Sequence, residues 1–310
     1  MATKKTAAND AKNQASRAII NVGVLGLGIM GSAMANNLIA AGFKVYGFDP
    51  SAPARQRFRA AGGHLCADAG SLALAVDAMI SSLPSASALQ SAAEQMAKQT
   101  KRGLLIVESS TLDVSDKEIA RKVLAKSGIV LLDCPLSGTG AQAVNKDLTV
   151  YVSGSKVASK KLTAVFNGFA KSHFYLGTFG NGMRMKLMAN LLVAVHNVAT
   201  AEALLLGQRW GIKPSDAVKV LSDGAGGSRM LQVRGPQMEN RGWEHATMKV
   251  EVWQKDMKLI GAALREAGVP APLFAATVPI YDAAAAMGHG QHDTAAVFDV
   301  LDRMSSPPRN

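Results

Sequence analysis

The stretch that decides the fold is Val22-Gly-Val-Leu-Gly-Leu-Gly-Ile-Met-Gly31. Val22–Leu27 is an apolar run interleaved with glycine and reads as a buried strand. Gly26, Gly28 and Gly31 follow as G-x-G-x-x-G. Met30–Ala41 then has helical spacing and stops at Gly42, and Lys44–Phe48 is a second short strand. Glycines also gather in ordinary turns, so the motif by itself says little. Its place after a strand, at the opening of a helix and inside a β-α-β unit makes it a dinucleotide turn. Gly26 allows the tight turn, Gly28 lets the backbone approach a pyrophosphate, and Gly31 lets helix and sheet pack closely. The helix start presents unpaired N–H groups and a partial positive charge to the phosphates. Gly26, Leu27, Gly28, Ile29, Met30 and Gly31 are therefore the expected cofactor contacts.

Asp49 ends the second strand, at the distance of about 20 residues that the motif requires. A carboxylate there accepts both ribose hydroxyls of NAD and repels a 2′-phosphate. NAD is the expected cofactor. Arg55 and Arg57 keep NADP open, although both also fit a solvated helix face.

Outward from this turn, strand and helix continue to alternate. Strand patterns fall at Ala78–Ser82, Gly103–Glu108 and Ile129–Asp133. Helical segments lie near Ser71–Asp77, Ala86–Lys98 and Ser115–Ala125, after one from Ala52 to Ala61. Such a series implies an α/β fold with a parallel sheet covered on both faces. Leu148–Ser153 and His173–Leu176 are further strands around a helix at Ser159–Phe169. The character changes near Gly180–Gly182. A long helix runs from about Met183 to Trp210, another starts at Lys213-Pro214-Ser215, and others fall near Val250–Ala267, Pro272–Met287 and Thr294–Met304. The expected organisation is a tail over 1–19, an N-terminal Rossmann dinucleotide-binding domain over 20–181 and a C-terminal all-α domain over 182–310.

The chain has 310 residues, and its charged content of 18% against 48% hydrophobic reads as globular. Part of the +11 net charge lies in Lys4, Lys5, Lys12 and Arg17, in a stretch without apolar periodicity that reads as a flexible tail. It has no secretory apolar core, and a lysine cluster with one arginine fits organelle targeting poorly. The remaining positive charge suits an anionic small molecule. No basic run with interleaved aromatics suggests nucleic acid. Cys66 and Cys134 have no metal spacing and read as free thiols of a reducing cytoplasm. Leu191–Leu206 is apolar but interrupted by His196, Asn197 and Glu202. It reads as a buried helix too short for a bilayer.

Four blocks together carry a resemblance. Gly26-Leu-Gly-Ile-Met-Gly-Ser-Ala-Met-Ala-Asn-Asn-Leu38 resembles the signature of the β-hydroxyacid dehydrogenase family. Asp133-Cys-Pro-Leu-Ser-Gly-Thr-Gly-Ala-Gln-Ala143 resembles its substrate loop, Gly180-Asn-Gly-Met-Arg-Met-Lys-Leu-Met-Ala-Asn190 its catalytic helix, and Lys255-Asp256 its cofactor-side pair. The resemblance covers residues 22 to about 303. It implies hydride transfer between a nicotinamide and a small 3-hydroxyacid or the matching semialdehyde, with the active site in the cleft between the domains. Lys186 matches the catalytic lysine and Asn190 the asparagine that positions substrate. Ser137, Gly138 and Thr139 fall on the substrate loop. Leu83-Pro84 and Ser110-Thr111 match loops on the nicotinamide-ribose side, and Lys255 a lysine near the cofactor. A homodimer or homotetramer is also implied.

The chemistry agrees. An alcohol losing hydride must lose its O–H proton, and a carbonyl gaining hydride needs one, so a single lysine serves both directions. A free lysine titrates near 10.4, too high for a good base, and partial burial beside other cations lowers it. Asn190 stands one helical turn beyond Lys186 on the same face.

This chain departs from the family pattern at three places. Thr139 replaces a glycine, Asn145-Lys146-Asp147 replaces a small-residue approach to the next strand, and Ala189 replaces the first of two asparagines. These changes leave the reaction type and open the substrate, so a polyhydroxylated acid fits as well as a branched one.

Other readings are weaker. His289, His292 and Asp293 lie in a glycine-rich segment without ligand geometry, which suits a surface or capping role better than a metal. Ser137 has no evident base for hydrolase chemistry. Met183, Met185 and Met188 read as packing. An inactive dinucleotide module and an imine reductase both conflict with retention of Lys186. A phosphogluconate-type enzyme would need a longer helical domain.

Overall fold

A computed structural model describes residues 19–99 and 102–305. The basic stretch expected to be a flexible tail lies outside the described residues, apart from Ile19. The chain divides into two compact units, residues 1–183 and 184–310.

The first unit alternates β1 (Asn21–Leu25), α1 (Ile29–Ala40), β2 (Lys44–Phe48), α2 (Ala52–Ala60), β3 (His64–Leu65), α3 (Ala69–Ala75), β4 (Ala78–Ser81), α4 (Ala86–Ala97), β5 (Leu105–Glu108), α5 (Val114–Lys126) and β6 (Val130–Asp133). These strands form one sheet in the order β3-β2-β1-β4-β5-β6, with every neighbouring pair parallel. The order reverses between β1 and β4, which places a ligand crevice beyond their carboxyl ends. Alternation along the strands feeds two cores. Val24, Ile80 and Val107 join Leu38 and Phe166 on one face, while Met79 and Ile106 join Leu72, Met96 and Leu124 on the other. Both faces are covered, as expected of a parallel sheet.

A smaller sheet follows. β7 (Leu136–Ser137), α6 (Gly140–Val144), β8 (Thr149–Val152), α7 (Lys156–Lys161), α8 (Thr163–Phe169) and β9 (Ser172–Tyr175) come in sequence. β8 pairs antiparallel with β7 and parallel with β9. The two-residue strands β3 and β7 and the five-residue helix α6 are too short to show periodicity in the sequence.

The second unit is helical among its described residues. It holds most of α9 (Asn181–Arg209), then α10 (Pro214–Asp223), α11 (Arg229–Glu239), α12 (Val250–Ala267), α13 (Pro272–Ala286), two 3-10 turns at His289–Gln291 and Thr294–Ala296, and α14 (Val297–Met304). Asn190, Ala194, Asn197, Val198, Ala201, Leu204 and Leu205 form the buried stripe of α9, at three- and four-residue spacing. At 29 residues α9 is long and apolar enough to cross a bilayer by length and composition, longer than the apolar run suggested. Its stripe, however, sits in the core with Trp253, Phe274, Tyr281 and Phe298. Asn197 is tied there, its Nδ2 donating to Tyr281 Oη at 3.0 Å and to the Thr294 carbonyl at 2.9 Å.

Helix α11 forms although Gly224-Ala-Gly-Gly227 precedes it and Pro236 lies inside it. Ser228 caps it by accepting from Leu231 N–H at 3.1 Å. Buried Arg234 then pairs with buried Asp293 at 3.0 Å. Asp293 also accepts from the N–H groups of Thr247, Met248 and Ala295, so its role is capping. His289 is not at the surface. It is buried, with Nε2 3.0 Å from Asp299 Oδ2 and Nδ1 2.8 Å from His292 Nδ1. Of the three methionines read as packing, Met183 is buried, but Met188 is 61% exposed.

Candidate active site

The glycine turn is demanded by sterics. Gly26 has φ +90°, and a Cβ there would lie 2.2 Å from the Ser82 carbonyl oxygen. On Gly31 a Cβ would stand 1.8 Å from the Gly26 oxygen, which backbone cannot yield. On Gly28 a Cβ would meet nothing within 4 Å. No side chain caps α1 at Gly28. An open turn and an uncapped helix start fit a dinucleotide pyrophosphate. Leu27 is core and offers only backbone, while Ile29 is 79% exposed beside the turn.

Asp49 Oδ2 accepts from Leu27 N–H at 2.7 Å, and Oδ1 from Ser51 N–H at 2.7 Å. The carboxylate thus braces the turn and keeps a lone pair on each oxygen for ribose hydroxyls. Arg55 Nη1 donates to the carbonyls of Asp49 and Pro50, which makes it a staple of this loop rather than a plain solvated face.

Beyond β4 and β5, Leu83 N–H donates to Ser110 Oγ at 2.8 Å. The loops containing Leu83-Pro84 and Ser110-Thr111, separate in sequence, are therefore one structure. Ser137 ends β7, and Gly138 has φ +129°. Thr139 N–H donates to Gln142 Oε1 at 3.0 Å, with its hydroxyl 3.5 Å from the same atom. Gln142 Nε2 reaches Asp147 Oδ2 at 3.3 Å, and Lys171 pairs with Asp147. The departures at Thr139 and Asp147 thus serve the first turn of α6. Asn37 Nδ2 on α1 donates to the Ala143 carbonyl at 2.7 Å, and a Cβ on Gly140 would meet Ile29. The segment after β7 is thereby fastened to α1.

In the second unit Lys186 is half-buried and Asn190 buried, one turn apart on α9. Asn190 Nδ2 donates to Asp256 Oδ2 at 3.0 Å. Burial pushes the Lys186 ammonium below the usual lysine range, nearby Asp256 opposes this, and Lys255 adds to it. Burial raises the Asp256 carboxyl, against the two lysines and Asn190. Lys255 itself is exposed on α12. In the sequence Asp256 stands out only as the neighbour of Lys255, and the structure makes it the anchor of Asn190. Its partner stands 66 positions away, and adjacency to Lys255 was the only signal.

The signs give a pH prediction. With Lys186 as the proton acceptor of an alcohol oxidation, kcat/KM is expected to rise with pH through its pKa. Asp256→Asn removes an attraction for the ammonium and is expected to move that limb to lower pH. Lys255→Gln removes a repulsion and is expected to move it higher. A pH profile that stays in place in both variants would separate Lys186 from the limb.

Two family models match this chain. Residues 21–177 match the NAD-binding domain of 6-phosphogluconate dehydrogenase, and residues 180–301 the NAD-binding segment of NADP-dependent 3-hydroxyisobutyrate dehydrogenase. An L-threonate dehydrogenase from Cupriavidus necator is 32% identical over 93% of this chain and 98% of its own. The chain belongs to the β-hydroxyacid dehydrogenase family. A 2-(hydroxymethyl)glutarate dehydrogenase from Eubacterium barkeri is 30% identical over 92% of this chain and 96% of its own. A solved 3-hydroxyisobutyrate dehydrogenase from Salmonella typhimurium is 28% identical, with a TM-score of 0.81, covering 91% of this chain and 99% of that one. Membership makes this chain an NAD(P)-dependent oxidoreductase of hydroxyacids with a Rossmann domain and a helical domain.

Proposed function

We propose that Lys186 Nζ is the proton-transfer group of a small-hydroxyacid dehydrogenase that prefers NAD, and that L-threonate heads its candidate substrates. The observation that carries this reading is the half-buried Lys186, shifted down by burial, with Asn190 one turn away and anchored on Asp256. When bound, the cofactor accepts hydride from the carbinol carbon or returns it. Lys186 takes the hydroxyl proton in oxidation and gives it back in reduction. Asn190 keeps its amide oxygen and one N–H for the substrate, since the other N–H is held by Asp256. Ser137 and Gly138 hold the carboxylate, with Thr139 shaping the loop. Leu83, Pro84, Ser110, Thr111 and Lys255 line the nicotinamide side. An inactive module or an imine reductase fits the family relatives less well.

The choice of threonate is supported by the 32% identity to a threonate dehydrogenase. A cofactor-absorbance assay over threonate, hydroxyisobutyrate, glycerate and tartronate semialdehyde, with both cofactors, tests it. Threonate with NAD is expected to give the highest kcat/KM. A clear lead for another acid would overturn the substrate, and no turnover at all the enzyme reading. Asp49→Asn is expected to narrow the preference for NAD over NADP by about tenfold. An unchanged ratio of kcat/KM values would remove Asp49 as selector.

The proposed domains are 20–181 for the dinucleotide and 182–310 for substrate and self-association, in a cytoplasmic homodimer or homotetramer. Leu206, Trp210 and Leu273, each at least half exposed on the second unit, are apolar surface that a second copy would cover. Light scattering that finds only monomer would remove the oligomer.

A further inference from the structure

The carboxyl ends of β4, β5 and β6 carry a buried polar row that the hydride chemistry does not use. Ser81, Glu108 and Asp133 are partners in register across the three strands, and all are at most 1% exposed. Glu108 bonds in two directions. Oε2 accepts from Ser81 Oγ, and Oε1 accepts from Ser110 N–H at 2.8 Å. Ser110 Oγ in turn accepts from Leu83 N–H at 2.8 Å. Ser109 Oγ completes the ring by donating to the Ser81 carbonyl at 2.7 Å. Buried Lys117 gives its short bond to Asp133 at 2.8 Å and reaches the Glu108 carbonyl, not its carboxylate, at 3.5 Å.

A carboxylate is costly to bury without a paired cation. A stable core would put an apolar residue at the end of β5, as at Ile106 beside it. Glu108 instead supplies two acceptor atoms, where a neutral side chain of its size supplies one. One is spent on the last residue of β4 and the other on the loop that leaves β5, whose Ser110 in turn holds the loop after β4.

We propose that Glu108 is a positioning residue for the nicotinamide half of the cofactor, acting through Ser110 and Leu83. The inference rests on the reading of Leu83-Pro84 and Ser110-Thr111 as the nicotinamide-side loops. Glu108 does not touch the cofactor. It sets the height of both loops at once, so the nicotinamide is presented at one depth above the strand ends. The adenosine half, held by Gly28 and Asp49 at the far side of β1, is independent of it.

That independence gives the test, which compares NADH with ADP-ribose, a ligand without the nicotinamide. Both affinities are read by titration calorimetry on the full chain, next to a thermal melt. Glu108→Gln keeps the volume and one acceptor. It is expected to weaken NADH by about tenfold and ADP-ribose by less than about twofold, the scale of one lost charged hydrogen bond. Ser81→Ala, a milder cut in the same chain, is expected to shift the same ratio by a smaller factor. Equal weakening of both ligands, or of neither, in both variants would overturn the proposal. Pro84→Ala and Thr111→Val test the loop reading separately. If they move the ratio and Glu108→Gln does not, positioning by Glu108 fails alone. If they too leave it unmoved, the loop reading fails and the proposal with it.

Discussion

Lys186→Ala is expected to lower kcat by about 10²–10⁴-fold, the range a positioned acid–base group contributes. NADH affinity should stay within about twofold, since no part of the glycine turn is touched. The size of the effect follows from what remains. Asn190 still holds Asp256, and Asp256 keeps the buried carboxyl that Lys186 had opposed. The Asp256 carboxyl is already committed to the Asn190 amide at 3.0 Å, so the variant has no ready substitute. Lys186→Arg is expected to fail almost as badly. A guanidinium stays protonated at every working pH and cannot accept the proton in oxidation. Single-turnover kinetics with preloaded cofactor isolate the step. Near-normal turnover in Lys186→Ala would sink the assignment, whatever the affinity.

Lys117→Met is expected to cost about 3–5 kcal/mol, a large share of the 5–15 kcal/mol that holds a domain folded. Lys117 and Asp133 are both fully buried and 2.8 Å apart. Asp133 Oδ2 also accepts from Ser153 Oγ at 3.0 Å and Met183 N–H at 2.8 Å, while Ser153 Oγ accepts from Gly182 N–H at 2.9 Å. The carboxylate therefore caps the first turn of α9. Methionine matches the volume but leaves the charge in place with two neutral donors and no cation. The double variant Lys117→Met with Asp133→Asn is expected to recover part of the loss, because a neutral amide keeps the cap without the buried charge. Urea unfolding followed by circular dichroism measures this. Trp210, Trp243 and Trp253 all lie in the second unit, so tryptophan fluorescence follows the other part of the chain. A loss under about 1 kcal/mol would mean that water reaches Asp133 and the pair behaves as a surface one.

Much of this architecture could be read directly. The glycine spacing at Gly26, Gly28 and Gly31 states a backbone requirement, and the clashes at the Gly26 and Gly31 positions show the same requirement in space. The stripe on α9 is a period, and a period survives without knowledge of its partner. Lys186 and Asn190 are neighbours because four residues on a helix make one turn. These features are local, so local sequence states them, and the four motif blocks then led to the family.

The rest depended on the folded chain. Helix α11 was hidden by glycines and a proline, whose local cost is met by the Ser228 cap and the buried pair of Arg234 with Asp293, 59 positions apart. Thr139 and Asp147 stand as departures on the substrate loop, and only the folded chain shows that they also brace α6, a helix too short to announce itself. Glu108 reads as one acid at the end of an apolar run until strand pairing sets it between Ser81 and the Ser110 loop. Asn190 and Asp256 meet only when α9 and α12 pack. Periodicity and turn sterics act over a few residues, so the amino-acid order alone carried the sheet, the turn and the shared helix face of Lys186 and Asn190. The partner of a buried polar group is chosen by which distant atoms share its exclusion from water, and tertiary packing alone makes that choice.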